Sequence, residues 1–548
     1  MPFGPFKLVD VRISYDNLVL DLANEQGDIL FSPKRKLRYG QSDEAKRHAE
    51  GLIGSLVTTE TYDPIKWPST LWWVSVSKHS DKEFASSKSI LKVFGPPGTG
   101  KTTTLISAVI DHIKSGGHTE KIAFLTFTNN AAEVAKQRVL EASFKDLPEL
   151  NLSLMSFPHF STLHSLATRL GGLMGKNILD TEALLRFDPD IKNESIWMKL
   201  GDPSSVEDRP DHTALAIQSF ARARCVNLRE AIALGKFNEL DNLSFDLQLK
   251  KYFLENHQEN VIFTGIQLVE KYLNYYNKFK QQNNLADFDD VIDNAQSEEF
   301  FDYIPNFELL IIDEAQDLSD LQWKLVNRLV SKSIKVIVAG DDDQAIMVSF
   351  GASPDAFLKL GGDLKILDKS WRVPKSVHDF VMLHSMPLLV SRFPERQKKN
   401  WVPHEVEGKV HTTIQKMLRI KDGKGQMTAP TLQTVNLSLS DLLNRIQESK
   451  DKEWLIMAPT KHTCQLISKG LEVLGVPHYL RNRPVLNANE AGSAVRVMSI
   501  HTAKGDEAEN SALVVISAID RSMISDDPKL EYVALTRAKI NSYPRVTN

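Results

Sequence analysis

Ile90-Leu-Lys-Val-Phe-Gly-Pro-Pro-Gly-Thr-Gly-Lys-Thr102 is a short apolar run ending in a glycine-rich turn, and a helical pattern follows from Thr103 to Ile113. Strand, glycine turn and helix in that order open an α/β unit. The spacing Gly95-x-x-x-x-Gly100-Lys101-Thr102 is that of a phosphate-binding loop. Glycines let successive backbone N–H groups turn inward, and the helix start adds a partial positive charge. Gly95, Pro96, Pro97, Gly98, Thr99, Gly100, Lys101, Thr102 and Thr103 are therefore candidate nucleotide-binding residues. Lys101 suits the β- and γ-phosphates, and the Thr102 hydroxyl suits Mg²⁺.

The same texture recurs along the chain. Lys121–Thr126, Phe307–Ile312 and Ile334–Ala339 are continuous apolar runs separated by helical patterns. Such strands are buried on both faces, as in a parallel sheet covered by helices. Between about 171 and 285 the strand signals vanish and helical patterns such as Val261 to Phe279 dominate, which reads as a helical insertion. After Leu364–Leu367 the α/β texture resumes, with strands expected at Trp454–Ala458, Val495–Ser499 and Ala512–Ile516.

Residues 1 to about 85 read as a small α+β module. Val9–Tyr15 and Leu18–Leu22 alternate apolar and polar residues, Ser42–Leu56 has a helical pattern, and Leu71–Val76 is strand-like. Lys34-Arg-Lys36, Arg38 and Trp72-Trp73 read more simply as solvated charges and core tryptophans than as a grip on a nucleic acid.

Composition bounds the function without naming it. The 548 residues suffice for several domains, and 42% hydrophobic with 25% charged residues is ordinary for a globular protein. No apolar stretch has the roughly 20 residues of a membrane span, and the N-terminus lacks the pattern of a secretory signal. Cys225 and Cys464 have no partners at ligand spacing, which fits inert thiols in a reducing cytoplasm. A net charge of −4 excludes a simple basic coat for nucleic acid; a polyanion would need a local groove.

A second acidic motif turns nucleotide binding into hydrolysis. Asp313-Glu314-Ala315-Gln316-Asp317 follows the apolar strand Leu309–Ile312, at the edge where ligands gather in open α/β sheets. Asp313 is placed to hold Mg²⁺, and Glu314 to orient or deprotonate the attacking water.

Further segments fall in a characteristic order: Thr126-Phe-Thr-Asn-Asn-Ala-Ala132, Ser161-Thr-Leu-His-Ser-Leu166, Leu285-Ala-Asp-Phe-Asp-Asp290, Gly340-Asp-Asp-Asp-Gln-Ala-Ile346, Ser370-Trp-Arg372, Val497-Met-Ser-Ile-His-Thr-Ala-Lys-Gly505 and Tyr532-Val-Ala-Leu-Thr-Arg-Ala538. With the two motifs above, the chain resembles the UvrD/Rep/PcrA-like group of superfamily 1 DNA helicases. The resemblance runs from Gly95 to the C-terminal tail. It implies an ATP hydrolase, with ATP and Mg²⁺ as cofactors, that moves 3′→5′ along single-stranded DNA and acts at single–double-strand junctions. RNA is not excluded, and no protein partner is implied.

It also implies roles. Gln344 is a γ-phosphate sensor, Arg372 and Arg537 are arginine fingers, and Glu507 holds the ribose. Phe127, Thr128, Asn129, His164, Thr502 and Lys504 contact nucleic acid. Taken alone, Phe127 is more simply core and His164 a structural histidine.

The implied architecture is α/β: two RecA-like parallel-sheet motor domains, a helical insertion in the first and the small N-terminal module. The first motor domain comprises 86–170 and 285–368, the insertion 171–284, and the second motor domain 369–548. The stretch from Trp371 to Val495 is too short for the family's large second insertion, expected here as absent or vestigial, and no C-terminal tail is expected beyond Arg537.

Departures from the family pattern qualify these expectations. Asn130 replaces a lysine, and Asp506-Glu507-Ala508 replaces the usual Leu-Glu-Phe. Met347 and Ser349 occupy positions where the family places a Tyr and a Trp that stack on bases, leaving Phe350 as the candidate substitute. No upstream glutamine motif for adenine stands between Ser75 and Phe94; Gln41 or another N-terminal residue is an alternative. Two competing readings stay open: a translocase that strips proteins without unwinding, and an ATP-binding scaffold that has lost turnover.

Overall fold

In the computed structural model, residues 89–189, 213–235, 243–411 and 437–547 are described, together with the backbone of short strands at Phe6–Ser14, Asn17–Ala23, Ile29–Phe31, Lys34–Lys36, Leu56–Val57, Ile414–Leu418 and Thr431–Val435. The chain divides into Met1–Ser86 and Ser87–Asn548. In the first unit, Phe6–Ser14 pairs antiparallel with Asn17–Ala23 and with Leu56–Val57, and the three-residue strands join Asn17–Ala23. The expected helix at Ser42–Leu56, apart from Leu56, which is in a strand, lies outside the described residues, as do the strand at Leu71–Val76, Gln41, Arg38 and Trp72-Trp73.

The second unit holds two parallel sheets. The first consists of β1 (Ser89–Phe94), β2 (Ile122–Thr126), β3 (His159–Thr162), β4 (Phe307–Ile312), β5 (Ser333–Gly340) and β6 (Asp363–Ile366), in the order β6-β1-β5-β4-β2-β3. Every pairing in it is parallel. Strand alternation explains the unbroken apolar run of β4. Leu309 and Ile311 join Leu105 and Val109 of the helix Lys101–Lys114 on one face. Leu310 and Ile312 join Leu325, Val326 and Leu329 of the helix Asp320–Ser331 on the other. Leu310 is fully buried. Leu310→Ala is expected to cost about 2–5 kcal/mol and to lower the urea midpoint of this unit, measured by far-UV circular dichroism.

The segment between β3 and β4 leaves the sheet as helices. A two-residue parallel pairing, Asn177–Ile178 with Leu285–Ala286, ties the two ends of this excursion together. Inside it, Phe187, Tyr252, Tyr272 and Tyr276 form an aromatic core, and Tyr272 donates to Asp188 at 2.7 Å. The helical pattern expected from Val261 begins instead at Gly265, in the helix Gly265–Gln282, with Thr264 at its N-cap.

The second sheet consists of β7 (Lys409–Val410), β8 (Trp454–Ala458), β9 (His478–Leu480), β10 (Arg483–Val485), β11 (Val495–Ser499), β12 (Ala508–Val514) and β13 (Ala538–Val546), in the order β7-β13-β12-β8-β11-β9-β10. Only β9 and β10 pair antiparallel within it. Trp454, Ile456 and Ala458 face one core, while Leu455 and Met457 face another. That other core also contains Ile346, Met347 and Ala352 from the loop after β5, so apolar packing joins the two sheets' lobes. Met347 is buried in this core between the lobes, at a position where the family pattern has an aromatic. Among the described residues, no helix is long and apolar enough to cross a membrane.

Candidate active site

The phosphate loop hangs from the end of β1, where Gly95 N–H donates to Gly340 O of β5 at 3.1 Å. A Cβ on Gly95 would lie 2.2 Å from Lys101 Cγ, so only glycine lets the lysine fold back over the loop. Lys101 Nζ donates to Gly95 O at 2.8 Å. Gly98 has φ +72°, a conformation glycine adopts without a Cβ penalty. The helix Lys101–Lys114 starts at Gly100 with no side-chain cap, leaving first-turn N–H groups for an anion.

The carboxylates of Asp313 and Glu314 follow β4 onto the same edge. Thr102 Oγ1 donates to Asp313 Oδ2 at 3.5 Å. Burial and the Glu314 charge push the Asp313 carboxyl up to about 7, so a cation beside it would favour ionisation. One hydroxyl and one carboxylate beside an open cleft fit Mg²⁺, which keeps waters and substrate phosphates among its ligands. Glu314 has φ +54°. Burial works against its ionisation, but Lys101, Lys504, a hydrogen bond from Gln316 and Arg537 outweigh this and hold its carboxyl below the ordinary range. Gln316 Nε2 donates to Glu314 Oε2 at 2.5 Å.

The second lobe closes the other wall. Lys101, Thr102, Asp313, Glu314, Gln344, Arg372, Glu507 and Arg537 all line one cleft of about 1430 Å³, with the loop residues Pro97 to Gly100 and Thr103. Arg537 Nη2 donates to Gln344 Oε1 at 2.5 Å. Arg537 is 2% exposed; burial, then the nearby Arg372, lowers its guanidinium pKa to about 10. Arg372 Nε donates to Glu507 Oε2 at 2.5 Å, so the expected arginine finger and the expected ribose ligand are partners on the same wall of the cleft. Ser370 Oγ donates to Pro97 O and Trp371 N–H to Gly98 O, both at 2.8 Å, laying this segment on the phosphate loop.

The expected strand contacts divide. Phe127, Thr128 and Thr502 line the same cleft. Thr128 Oγ1 accepts from Ala131 N at 3.1 Å, capping the helix Asn129–Asp146, which Asn129 begins in an exposed position. Phe350 is half-buried, with its ring edge-on to His501 at 5.5 Å. His164 is only 7% exposed and packs edge-on against Phe288, the structural alternative to a strand contact. Lys504 lines the cleft as well. Its ammonium pairs with Asp317 and donates to Gln344 O at 2.8 Å, so the charge serves the join between lobes.

Sequence reasoning gave no role to Trp371, which is 64% exposed beside the phosphate loop with Lys369 Nζ 4.5 Å from its ring centre. A tryptophan next to an assigned arginine was the available signal. Asp317 and Lys399 were likewise unassigned, because their partners are 187 residues away in one case and 57 in the other.

Comparison with known proteins bears on the whole arrangement. The UvrD/REP helicase N-terminal domain matches residues 76–365, more than half of the chain. The ATP-dependent DNA helicase Rep of Buchnera aphidicola subsp. Baizongia pistaciae is 24% identical over 307 residues, covering 52% of this chain and 38% of that protein. The ATP-dependent DNA helicase srs2 of Schizosaccharomyces pombe is 30% identical over 268 residues, 46% of this chain and 28% of its own length. A probable DNA helicase of Mycoplasma pneumoniae is 22% identical over 475 residues, 82% of this chain and 78% of its own. The chain spans about two fifths of the length of the first curated relatives it matches. By the match over residues 76–365, the chain belongs to the UvrD/REP helicase family.

Proposed function

We propose that the protein is an ATP-driven DNA helicase that moves along single-stranded DNA in the 3′→5′ direction, with two RecA-like motor domains, 86–170 with 285–368 and 369–548, and a helical insertion at 171–284. The observation that carries this reading is the single cleft where Lys101, Thr102, Asp313 and Glu314 from one lobe face Arg372 and Arg537 from the other. Curated relatives named as ATP-dependent DNA helicases support it.

In this reading the loop N–H groups and Lys101 bind the β- and γ-phosphates. Thr102 and Asp313 would hold Mg²⁺, which neutralises charge on the phosphate oxygens. Glu314 takes the proton of the attacking water as its oxygen bonds to the γ-phosphorus and the bond to the β-phosphate oxygen breaks, releasing ADP. Gln344 faces the γ-phosphate, and Arg372 and Arg537 stabilise its spreading charge. Trp371 offers a flat apolar face for the purine. Loss of the γ-phosphate weakens the pull between lobes, so turnover alternates closed and open clefts. Phe127, Thr128 and Thr502 grip the strand without reading its sequence, with Phe350 standing in for the missing aromatics.

Two observations favour a second reading, a strand-tracking motor that displaces proteins without unwinding. Met347 is buried, and the stretch from Trp371 to Val495 is too short for the family's large second insertion. The measurement is ATPase rate with single-stranded DNA, single-stranded RNA, duplex or none, followed by unwinding of 3′-tailed and 5′-tailed duplexes. Stimulation strongest with single-stranded DNA and unwinding only from the 3′ tail are expected. Stimulation without unwinding on either tail selects the second reading, and preference for a 5′ tail overturns the polarity.

A further inference from the structure

Three consecutive carboxylates, Asp341, Asp342 and Asp343, follow β5, and all three are buried. Burying three adjacent negative charges is costly without counter-charges. The counter-charges come from the other lobe. Lys399 Nζ, itself buried, reaches Asp341 Oδ1 at 2.7 Å, Asp343 Oδ2 at 2.9 Å and Asp342 Oδ1. Arg396 forms a two-pronged pair with Asp343, Nε to Oδ1 at 2.6 Å and Nη2 to Oδ2 at 2.5 Å. Gln397 N–H donates to Asp342 Oδ2 at 2.9 Å. The nearby Lys529, above the Phe393 ring at 4.0 Å, also feels the charges of Asp342 and Asp343. The segment carrying Arg396 and Lys399 is anchored in the second lobe, where Trp401 packs with Val377, Tyr532 and Leu535.

The cluster does more than join two surfaces, because Asp341 has two oxygens with different partners. Lys399 holds Oδ1, and Oδ2 accepts from Gln344 Nε2 at 2.7 Å. An amide has a donor end and an acceptor end. With its donor end on Asp341, Gln344 turns its acceptor Oε1 toward Arg537. A flipped amide would set Nε2 against the guanidinium, donor against donor. A second branch starts at the same residue: Asp341 N–H donates to Gln316 Oε1 at 2.9 Å, and Gln316 Nε2 donates to Glu314. Gly340 makes room for it, since a Cβ there would lie 2.4 Å from Gln316 Oε1.

We propose that Lys399 is a positioning residue for ATP turnover, acting from the second lobe through Asp341 to fix the amide of Gln344 and so the place of Arg537. This rests on the reading of Gln344 and Arg537 as groups that face the γ-phosphate. Lys399 lies outside the cleft lining, so it acts on the chemical step through its neighbours and leaves nucleotide binding to the phosphate loop.

The test is a double-mutant cycle on the full chain with saturating single-stranded DNA, reading kcat and KM for ATP. Lys399→Met is expected to lower kcat about 10- to 100-fold, with KM changed less than about twofold. Lys399→Arg, which keeps the charge, should recover most of the rate. In a Gln344→Ala background, Lys399→Met should cost no further rate. Lys399→Met leaves buried carboxylates short of a cation and can fail to fold. Asp341→Asn is therefore the parallel variant: it removes one negative charge and breaks the two-sided pairing, and it should show the same kcat loss and the same silence beside Gln344→Ala. Losses that multiply with Gln344→Ala, a KM effect with kcat intact, or no loss in either variant would overturn the positioning role while wild-type turnover stands. An inert wild type would overturn the function and this role together.

Discussion

Glu314→Gln is expected to lower strand-stimulated kcat by about 10²–10⁴ while leaving ATP binding nearly intact. The substitution keeps the volume, and its carbonyl oxygen can still accept from Gln316 Nε2, so the loop geometry should survive. What it removes is the proposed base. Glu314 is half-buried, and Lys101, Lys504 and Arg537 hold its carboxyl below the ordinary range, so it is charged where the attacking water would sit. No neighbouring carboxylate is equivalent. Asp313 is directed at Thr102 and is assigned to the metal, and Asp317 is committed to Lys504. The measurement is phosphate release under saturating ATP with single-stranded DNA, alongside binding of a fluorescent ATP analogue. A wild type no faster than Glu314→Gln would replace the motor by the ATP-binding scaffold.

Arg537→Ala should have an effect as large, a kcat loss of about 10³–10⁵, with KM affected less. Its guanidinium is desolvated, which strengthens any charge it meets, and Gln344 Oε1 and Val533 O fix its direction. Arg537→Lys is not expected to rescue the rate, because an ammonium cannot serve the Gln344 amide, the Val533 carbonyl and a phosphoryl oxygen in one plane. Single-turnover hydrolysis separates the chemical step from product release. A thermal midpoint close to wild type assigns the loss to chemistry. A rate within about tenfold of wild type would remove Arg537 from the reaction and leave Arg372 as the finger.

Local features of the chain carried much of this. The strand–loop–helix at Ile90–Ile113 was legible because a phosphate loop is made by neighbours: a strand end, glycines free of Cβ, and a helix start without a cap. The unbroken apolar run at Leu309–Ile312 was legible because a strand buried on both faces has no polar phase. The helix expected from Val261 began four residues late, at Gly265, because burial of Val261 gives it the look of a helix face while its backbone is outside one.

By itself, then, the sequence determined the order of the elements, the strand-end placement of Lys101, Thr102, Asp313 and Glu314, and the family. Each depends on residues within a turn or two of one another, where backbone geometry follows from residue type. Only the tertiary structure decided who meets whom across the cleft. Lys504 reaches Asp317 on the other lobe, 187 residues away, and on its own wall of the cleft Arg372 pairs with Glu507, 135 residues away. Met347 became core because a second sheet packs against it, and three aspartates became buried because Lys399 and Arg396 arrive from the other lobe. Long-range pairing is set by how two sheets dock, and a charge shows its role only when the docking brings its counter-charge within about 3 Å.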